Sequence, residues 1–338
     1  MSLSVAAWRS PLSGHNPHPL HIDDQNDWID TNCYTDLWIE LLHGLGADPY
    51  PMLAFTVAID FEGDQWTFFK PPFEDLDLLY GVEVIELAAY RSLFDHCATQ
   101  VRLGRVPVLE VDAHYLRDVP GTYRERHRKT TIAVVGIDPA AKTATYLHNN
   151  GCYLAEPADA EGIFRTGRHA PGPETMPPYI EAVRLSRLHR RTSDDLMRLS
   201  TDLLGRHVAR RAADNPVARF AATFSQEIDD LAAHGPDAFE GYAFSTLRQL
   251  GAASALQSRY LRWLTRAHHG AFEAAAEACE RISQDAKRLI LKSARAARAG
   301  RPHRGEALLA SMAEAWEHSE RCLRSVLDGE IRGGEERT

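Results

Sequence analysis

Two apolar, β-rich runs, KTTIAVVGID (129–138) and TATYLHNN (143–150), stand on either side of DPAAK. β-Branched and aromatic residues favour strands. Asp138-Pro139 opens a turn, so the pair predicts a β-hairpin and requires a sheet in the first half of the chain. The second half requires something else. RHAPGPETMPPYI (168–180) is rich in proline and glycine, and alanine-rich segments follow it. Leu196, Leu199 and Leu203 make one apolar stripe. Ala253, Leu256, Tyr260 and Trp263 make another, and Leu309, Met312, Trp316, Leu323 and Leu327 a third. Spacing near 3.6 predicts amphipathic helices, and several with short breaks between them predict a bundle. The expected class is α+β, with the Pro/Gly-rich stretch as a linker.

Other segments fill in the first half. MLAFTVAIDFEG and DQWTFFKPP read as strand and turn, and VPVLEVDAHYL as a strand. VEVIELAAYRSLFDHCATQVRLG reads as a helix ended by Gly104. The 338 residues are 44% hydrophobic and 25% charged, enough for two cores. No apolar run is long enough to span a membrane. The first residues lack the basic start and apolar core of a signal peptide. The five cysteines are scattered, odd in number and without a CxxC, so neither a disulfide framework nor a zinc site is expected. A reducing, cytoplasmic compartment fits that usage. No glycine pattern predicts a nucleotide or flavin site. His268 and His269 are adjacent rather than at i and i+4, a poor metal pair.

Net charge is −9, unevenly spread. From His21 to Tyr90, 15 acidic residues face one base, Lys70. Such a region repels nucleic acid and suits a cationic ligand. Eight arginines lie between Arg184 and Arg211, and a second basic stretch runs from Lys287 to Arg304. These suit an acidic partner, or are solvated helix faces.

The stretch DTNCYTDLWIELLHGLG (30–46) carries the candidate chemistry. Leu37, Leu41 and Leu45, with Trp38 and Leu42, predict a helix stopped near Gly44 and Gly46. Asn32, Thr31 or Asp30 would cap it, which puts Cys33 at its start. Helix N-termini favour a thiolate, although Asp36 opposes that effect. Cys33 can equally be a small buried hydrophobe. A cysteine nucleophile needs a base and a group that orients it. His127 precedes the first hairpin strand and Asn149 ends the second, so neighbouring strands could bring them together. His114 is the rival base. Strand alternation allows only one of His148 and Asn149 to face the site. The chain order Cys33, His127, Asn149 is the layout of a papain-like site. The Cys33 N–H could be one oxyanion donor, with Asn32, Asn26 or Gln25 as the second. Asp64, Gln65 and Lys70, around Trp66, are candidate substrate contacts.

TNCYTDLWIELLHGLG, DQWTFFKPP, LDLLYGVEVIEL, EVDAHYLRDVPGT and HRKTTIAVVGID…YLHNNGCY together resemble a proteobacterial family, domain of unknown function 1839, over about Ile22 to Phe164. The same stretch is more distantly similar to the N-terminal domain of the butirosin-biosynthesis acyltransferase. That resemblance implies a papain-like fold with a helical C-terminal part. It also implies transfer of an aminoacyl group from a carrier-protein thioester to an amine. Residue by residue, the motif cysteine falls on Cys33 and the histidine on His127. The third member falls on Asn149, where the acyltransferase has an aspartate.

The expectation is thus a papain-like domain (1–168), a linker (169–180), a helical domain (181–328) and a polar tail (329–338). The expected activity is acyl transfer, with hydrolysis by the same Cys-His-Asn site or a non-catalytic binding module as alternatives. The expected partners are an acyl carrier protein and a small amine, with no nucleic acid or membrane. Phosphopantetheine is expected only on the carrier, and no cofactor or metal on this chain. Arg206, Arg210 and Arg211 are expected to meet the carrier.

Overall fold

A computed structural model describes residues 3–8, 14–22, 28, 31–172, 175–268 and 270–335. The chain divides into two compact units, Met1–Pro49 with Pro72–Arg191, and Tyr50–Pro71 with Thr192–Thr338.

The first unit is built on an antiparallel sheet. In chain order its elements are β1 (Leu3–Ser4), α1 (Pro19–Ile22), α2 (Cys33–Gly44), α3 (Phe73–Tyr80), β2 (Glu83–Glu86), α4 (Leu93–Arg102), β3 (Val106–Asp112), β4 (Lys129–Asp138), β5 (Thr143–His148), β6 (Gly151–Ala155), α5 (Pro157–Ile163) and β7 (Ile180–Arg184). The sheet order is β2-β7-β3-β4-β5-β6, and β1 also pairs with β4. The predicted hairpin is β4–β5. The Asp138 carboxylate accepts the Ala140 and Ala141 N–H groups (2.9 and 3.1 Å) and so closes its turn. β4 is buried from Thr130 to Ile137. Such a strand needs cover on both faces, which explains its unbroken apolar run. Helix α2 packs against β4 and β5, α4 against β3 and β4, and α5 against β3, β5 and β6.

Three expectations change here. The helix expected over VEVIELAAYRSLFDHCATQVRLG is a strand, β2, followed by the shorter helix α4. Gly104 (φ 72°) ends that helix region as expected. The linker and the 168/181 boundaries also fall. β7 follows the Pro/Gly-rich stretch and inserts between β2 and β3, so the first unit runs on to Arg191. IEAVR is short and precedes long helices, but its burial comes from two flanking strands. Finally, MLAFTVAIDFEG is not a strand of the sheet. Tyr50–Ala58 forms a 3₁₀ helix, and with the following residues it belongs to the second unit.

The second unit holds α6 (Ser193–Ala209), α7 (Pro216–His234), α8 (Pro236–Ser245), α9 (Leu247–Thr265), α10 (Glu273–Arg298) and α11 (Glu306–Glu335). The predicted stripes are largely core. Leu196, Leu203, Leu256, Tyr260, Met312 and Leu323 are buried, while Leu199 is half-buried. Phe61 and Trp66 pair across a short bridge and pack on Phe220. The apolar stretch 50–71 therefore fills this core rather than the sheet's.

Candidate active site

Cys33 opens α2. Asn32 sits in extended backbone (φ −152°), and its Oδ1 accepts the Tyr34 and Thr35 N–H groups (3.0 and 3.2 Å). It is a helix N-cap. Asp36, fully buried, accepts the Thr31 and Asn32 N–H groups (2.8 and 3.2 Å) and the Thr31 hydroxyl. Both side chains thus fasten the chain that enters the helix. The Asn32 Oδ1 is committed to the cap, and its backbone N–H goes to Asp36. Asn26 and Gln25 lie outside the described residues. The Cys33 N–H is at the first helical position, where the helix offers no carbonyl partner.

Deeper along α2 lies an internal ionic cluster. Glu40 is fully buried and accepts His21 Nδ1 (2.5 Å), His15 Nε2 (2.6 Å) and the His18 N–H (2.9 Å). His21 Nε2 reaches Asp36 (3.3 Å). Burial alone would lower the His21 pKa. The hydrogen bonds from Asp36 and Glu40 outweigh it and raise the value to about 9. Burial likewise works against the Glu40 carboxylate, but His15 and His21 bring it down to about 2. His18 goes the other way, to about 4, through burial and the neighbouring His43.

The sulfur itself is half-buried, and its hydrogen-bond partner is the Thr131 hydroxyl (3.9 Å). Burial raises the Cys33 pKa. Thr131, Thr130 and Lys129 favour the thiolate, and Asp36 opposes it. This differs from the expected depressed pKa: desolvation exceeds what Thr131, Thr130 and Lys129 return.

His127 pairs with Asp112, Nδ1 to Oδ2 at 2.5 Å. The other oxygen of Asp112 accepts the His114 and Arg128 N–H groups (3.0 and 3.1 Å). His114 stacks on His127 with centroids 4.4 Å apart, so the two rival bases form one cluster. The His127 side chain is 71% exposed. The register pairs Asp112 with Lys129 and Glu110 with Thr131, so the carboxylate that holds His127 is on the face of β4 that Cys33 meets. Asp112, not Asn149, holds His127. Asn149 has a left-handed φ of 47° in the turn between β5 and β6. Asparagine suits that conformation.

Alternation instead turns His148 inward. It is buried, with Nδ1 on Asp118 Oδ2 (2.5 Å) and Nε2 on the Thr130 hydroxyl (2.8 Å). Tyr146 donates to the other oxygen of Asp118 (2.7 Å). Asp118 stands in YLRDVPGT, a stretch that gives no reason to single it out. Glu181, on the unforeseen strand β7, is fully buried and accepts the Tyr34 and Tyr179 hydroxyls (2.6 and 2.7 Å).

Asp64, Gln65 and Lys70 are exposed and belong to the second unit, whereas Cys33 belongs to the first. Arg206 and Arg210 are exposed on α6 and at its end. Arg211 is not available to a partner: its side chain is 3% exposed, paired with Glu320 and stacked over Trp316 (4.5 Å). His268 is described and His269 is not. No group of three His, Cys, Asp or Glu among the described residues could hold a metal ion. No helix among them is long and apolar enough to cross a membrane.

Fold and site define a mixed α+β protein in which an antiparallel-sheet unit presents a capped-helix cysteine and is followed by a helical unit. Residues 16–185 match the DUF1839 N-terminal domain and residues 193–325 the DUF1839 C-terminal domain. The chain belongs to the DUF1839 family. A comparison with the curated proteins found no match.

Proposed function

We propose that the first unit is a cysteine-centred acyltransferase. Cys33 would attack the thioester of an aminoacylated carrier protein, and an amine would then take the acyl group from the cysteine. The observation that carries this reading is the placement of Cys33. It is a partly accessible thiol at the first position of a firmly capped helix, where an N–H and the helix dipole meet developing negative charge. Two histidine–carboxylate pairs flank the start of β4, the strand whose Thr131 meets the same cysteine. Such pairs are the general-base equipment that a neutral thiol needs. The likeness to the butirosin-biosynthesis acyltransferase supplies the donor and acceptor classes and the papain-like comparison. The acidic N-terminal region suits a cationic amine. Arg206 and Arg210 suit the acidic face of a carrier protein.

A second reading has its own support. The sulfur's hydrogen-bond partner is a threonine, and burial raises its pKa. Those are the features of a binding module that keeps the fold without the chemistry. The test is incubation with an aminoacyl carrier protein and mass spectrometry of the Cys33 peptide. An acyl adduct that an amine discharges supports transfer. One that water discharges at the same rate supports hydrolysis. No adduct supports the binding module.

A further inference from the structure

The two basic stretches of the sequence have different fates in the structure. In the first, Arg184 has Glu83 beside it (3.2 Å), Arg187 has Asp77 (2.8 Å), Arg198 has Asp195 and Asp202, and Arg211 has Glu320. Much of its charge is answered within the fold. The second stretch runs from Lys287 to Arg304, and most of it lies on α10. There Arg288 meets Asp285 (2.9 Å) and Arg304 meets Asp229 (2.6 Å). Lys292, Arg295, Arg298 and Arg301 are exposed, and among the described residues none of them has a carboxylate within ion-pair distance.

Helix geometry gathers these cations into one ridge. Arg288, Lys292, Arg295 and Arg298 recur every three or four residues, which is one face of a helix. Ile282, Ala286, Leu289, Ser293 and Ala297 lie on the other side of α10 and are buried. Like charges at that spacing oppose the helix that carries them. The helix dipole favours cations in the last turn, which accounts for Arg295 and Arg298. Its effect fades within that turn, so it does not account for Arg288 and Lys292. In the middle of the ridge stands Leu291, 63% exposed. Helical spacing from Arg288 and from Arg295 puts it on their face.

We infer that this ridge of α10 is a docking surface for a protein with an acidic helical face that carries an apolar side chain at its centre. Cations around one accessible leucine have the layout of an interface, an apolar centre within a polar rim. Arginine suits carboxylates in particular, because its planar fork bonds both oxygens. Other anionic partners fit less well. A helix that lies on a membrane needs a broad apolar face, and this ridge offers one large apolar side chain. Single-stranded nucleic acid is held by cations interleaved with aromatic rings, and the ridge has no ring. A net charge of −9 also opposes a polyanion of that kind. Nothing in this depends on the acyl-transfer reading: α10 belongs to the second unit and Cys33 to the first.

The probe is a fluorescent, alanine-based helical peptide with glutamates around a single leucine, titrated with the full-length chain and followed by anisotropy. Binding is expected at low salt. It should be lost as salt rises from about 0.1 M to 1 M, where the Debye length falls from about 10 to 3 Å. Lys292→Glu together with Arg295→Glu should weaken it by about tenfold or more. Leu291→Gln should weaken it by about tenfold, and should matter little for a peptide whose leucine is also glutamine. All three positions are exposed on a helix, so the variants should fold, which circular dichroism checks. If the reversal does not fold, Lys292→Gln with Arg295→Gln decides in its place. No binding at low salt, or equal binding by wild type and folded variants, would overturn the docking surface. Tighter binding of a short DNA duplex, or of phosphatidylglycerol vesicles, than of the peptide would overturn it too, by making the ridge a site for nucleic acid or lipid. Dimerisation of the chain that the same reversal abolishes would make the occupant a second copy and overturn it as well.

Discussion

His127–Asp112 and His148–Asp118 are the same chemical pair at the same 2.5 Å, close to the start of the same strand. Their surroundings separate them. The His127 side chain is 71% exposed, and that of His148 is 2% exposed. Water competes for an exposed pair and screens it, so it is worth little, about 0–1 kcal/mol. A buried pair loses hydration and must be satisfied on every side. His148 is, by Asp118 and Thr130, and Asp118 is, by Tyr146. The difference teaches where to look for function. An exposed pair can be lost with little consequence for the fold. A buried pair has a structural cost that its fold must carry.

The largest expected effect is Asp118→Ala. It strands His148 and the Tyr146 hydroxyl in the interior and should destabilise the first unit by about 3–5 kcal/mol. Urea unfolding followed by a probe in that unit measures it. A loss equal to that of Asp112→Ala would break the comparison. Next is Thr130→Val, which leaves one imidazole nitrogen unpaired and should cost about 1–3 kcal/mol in the same assay. His127→Ala should change stability by no more than about 1 kcal/mol.

The α2 cluster sharpens the comparison through pH. His21 has a folded pKa of about 9, above its unfolded value near 6.5. Its stabilisation is complete below about pH 6.5 and is lost as pH rises through 9. Glu40, at about 2 when folded and near 4.3 unfolded, contributes fully above about pH 4.3 and loses it as pH falls through 2. His18, held neutral to about pH 4, removes stability as pH falls from 6.5 toward 4. The stability of the first unit should therefore fall on the alkaline side between pH 6.5 and 9. A flat profile there would contradict the buried imidazolium, and His21→Gln should flatten it. The smallest effect expected is electrostatic. Reversing Arg206 and Arg210 to glutamate should raise the apparent KM for a carrier substrate at low salt and leave a small thioester mimic unaffected.

Much of the fold was legible because local pattern and tertiary environment agree. The β4–β5 hairpin, the α2 stripe and the helices of the second unit each follow from spacing and turn residues. The failures have a common cause: the burial came from distant segments. IEAVR became β7 because β2 and β3 flank it, and 50–71 became core of the helical unit because Phe61 and Trp66 meet Phe220. At the site, Cys33 at a capped helix start was readable from TNC. The partner of His127 was not, because Asp112 is set beside it by strand register. Alternation flagged that one of His148 and Asn149 must face inward, but only burial shows which. The thiol's raised pKa was unreadable, since desolvation depends on what packs over the sulfur.

The central claim is that Cys33 accepts an acyl group. It is tested most directly by mixing the full chain with an aminoacylated carrier protein, quenching within seconds and mapping the adduct by peptide mass spectrometry. The account predicts an acyl group on Cys33, absent in Cys33→Ser and discharged faster when an amine is added. A folded wild-type chain with Cys33 unmodified at every carrier concentration, while its thiol still alkylates, would contradict it.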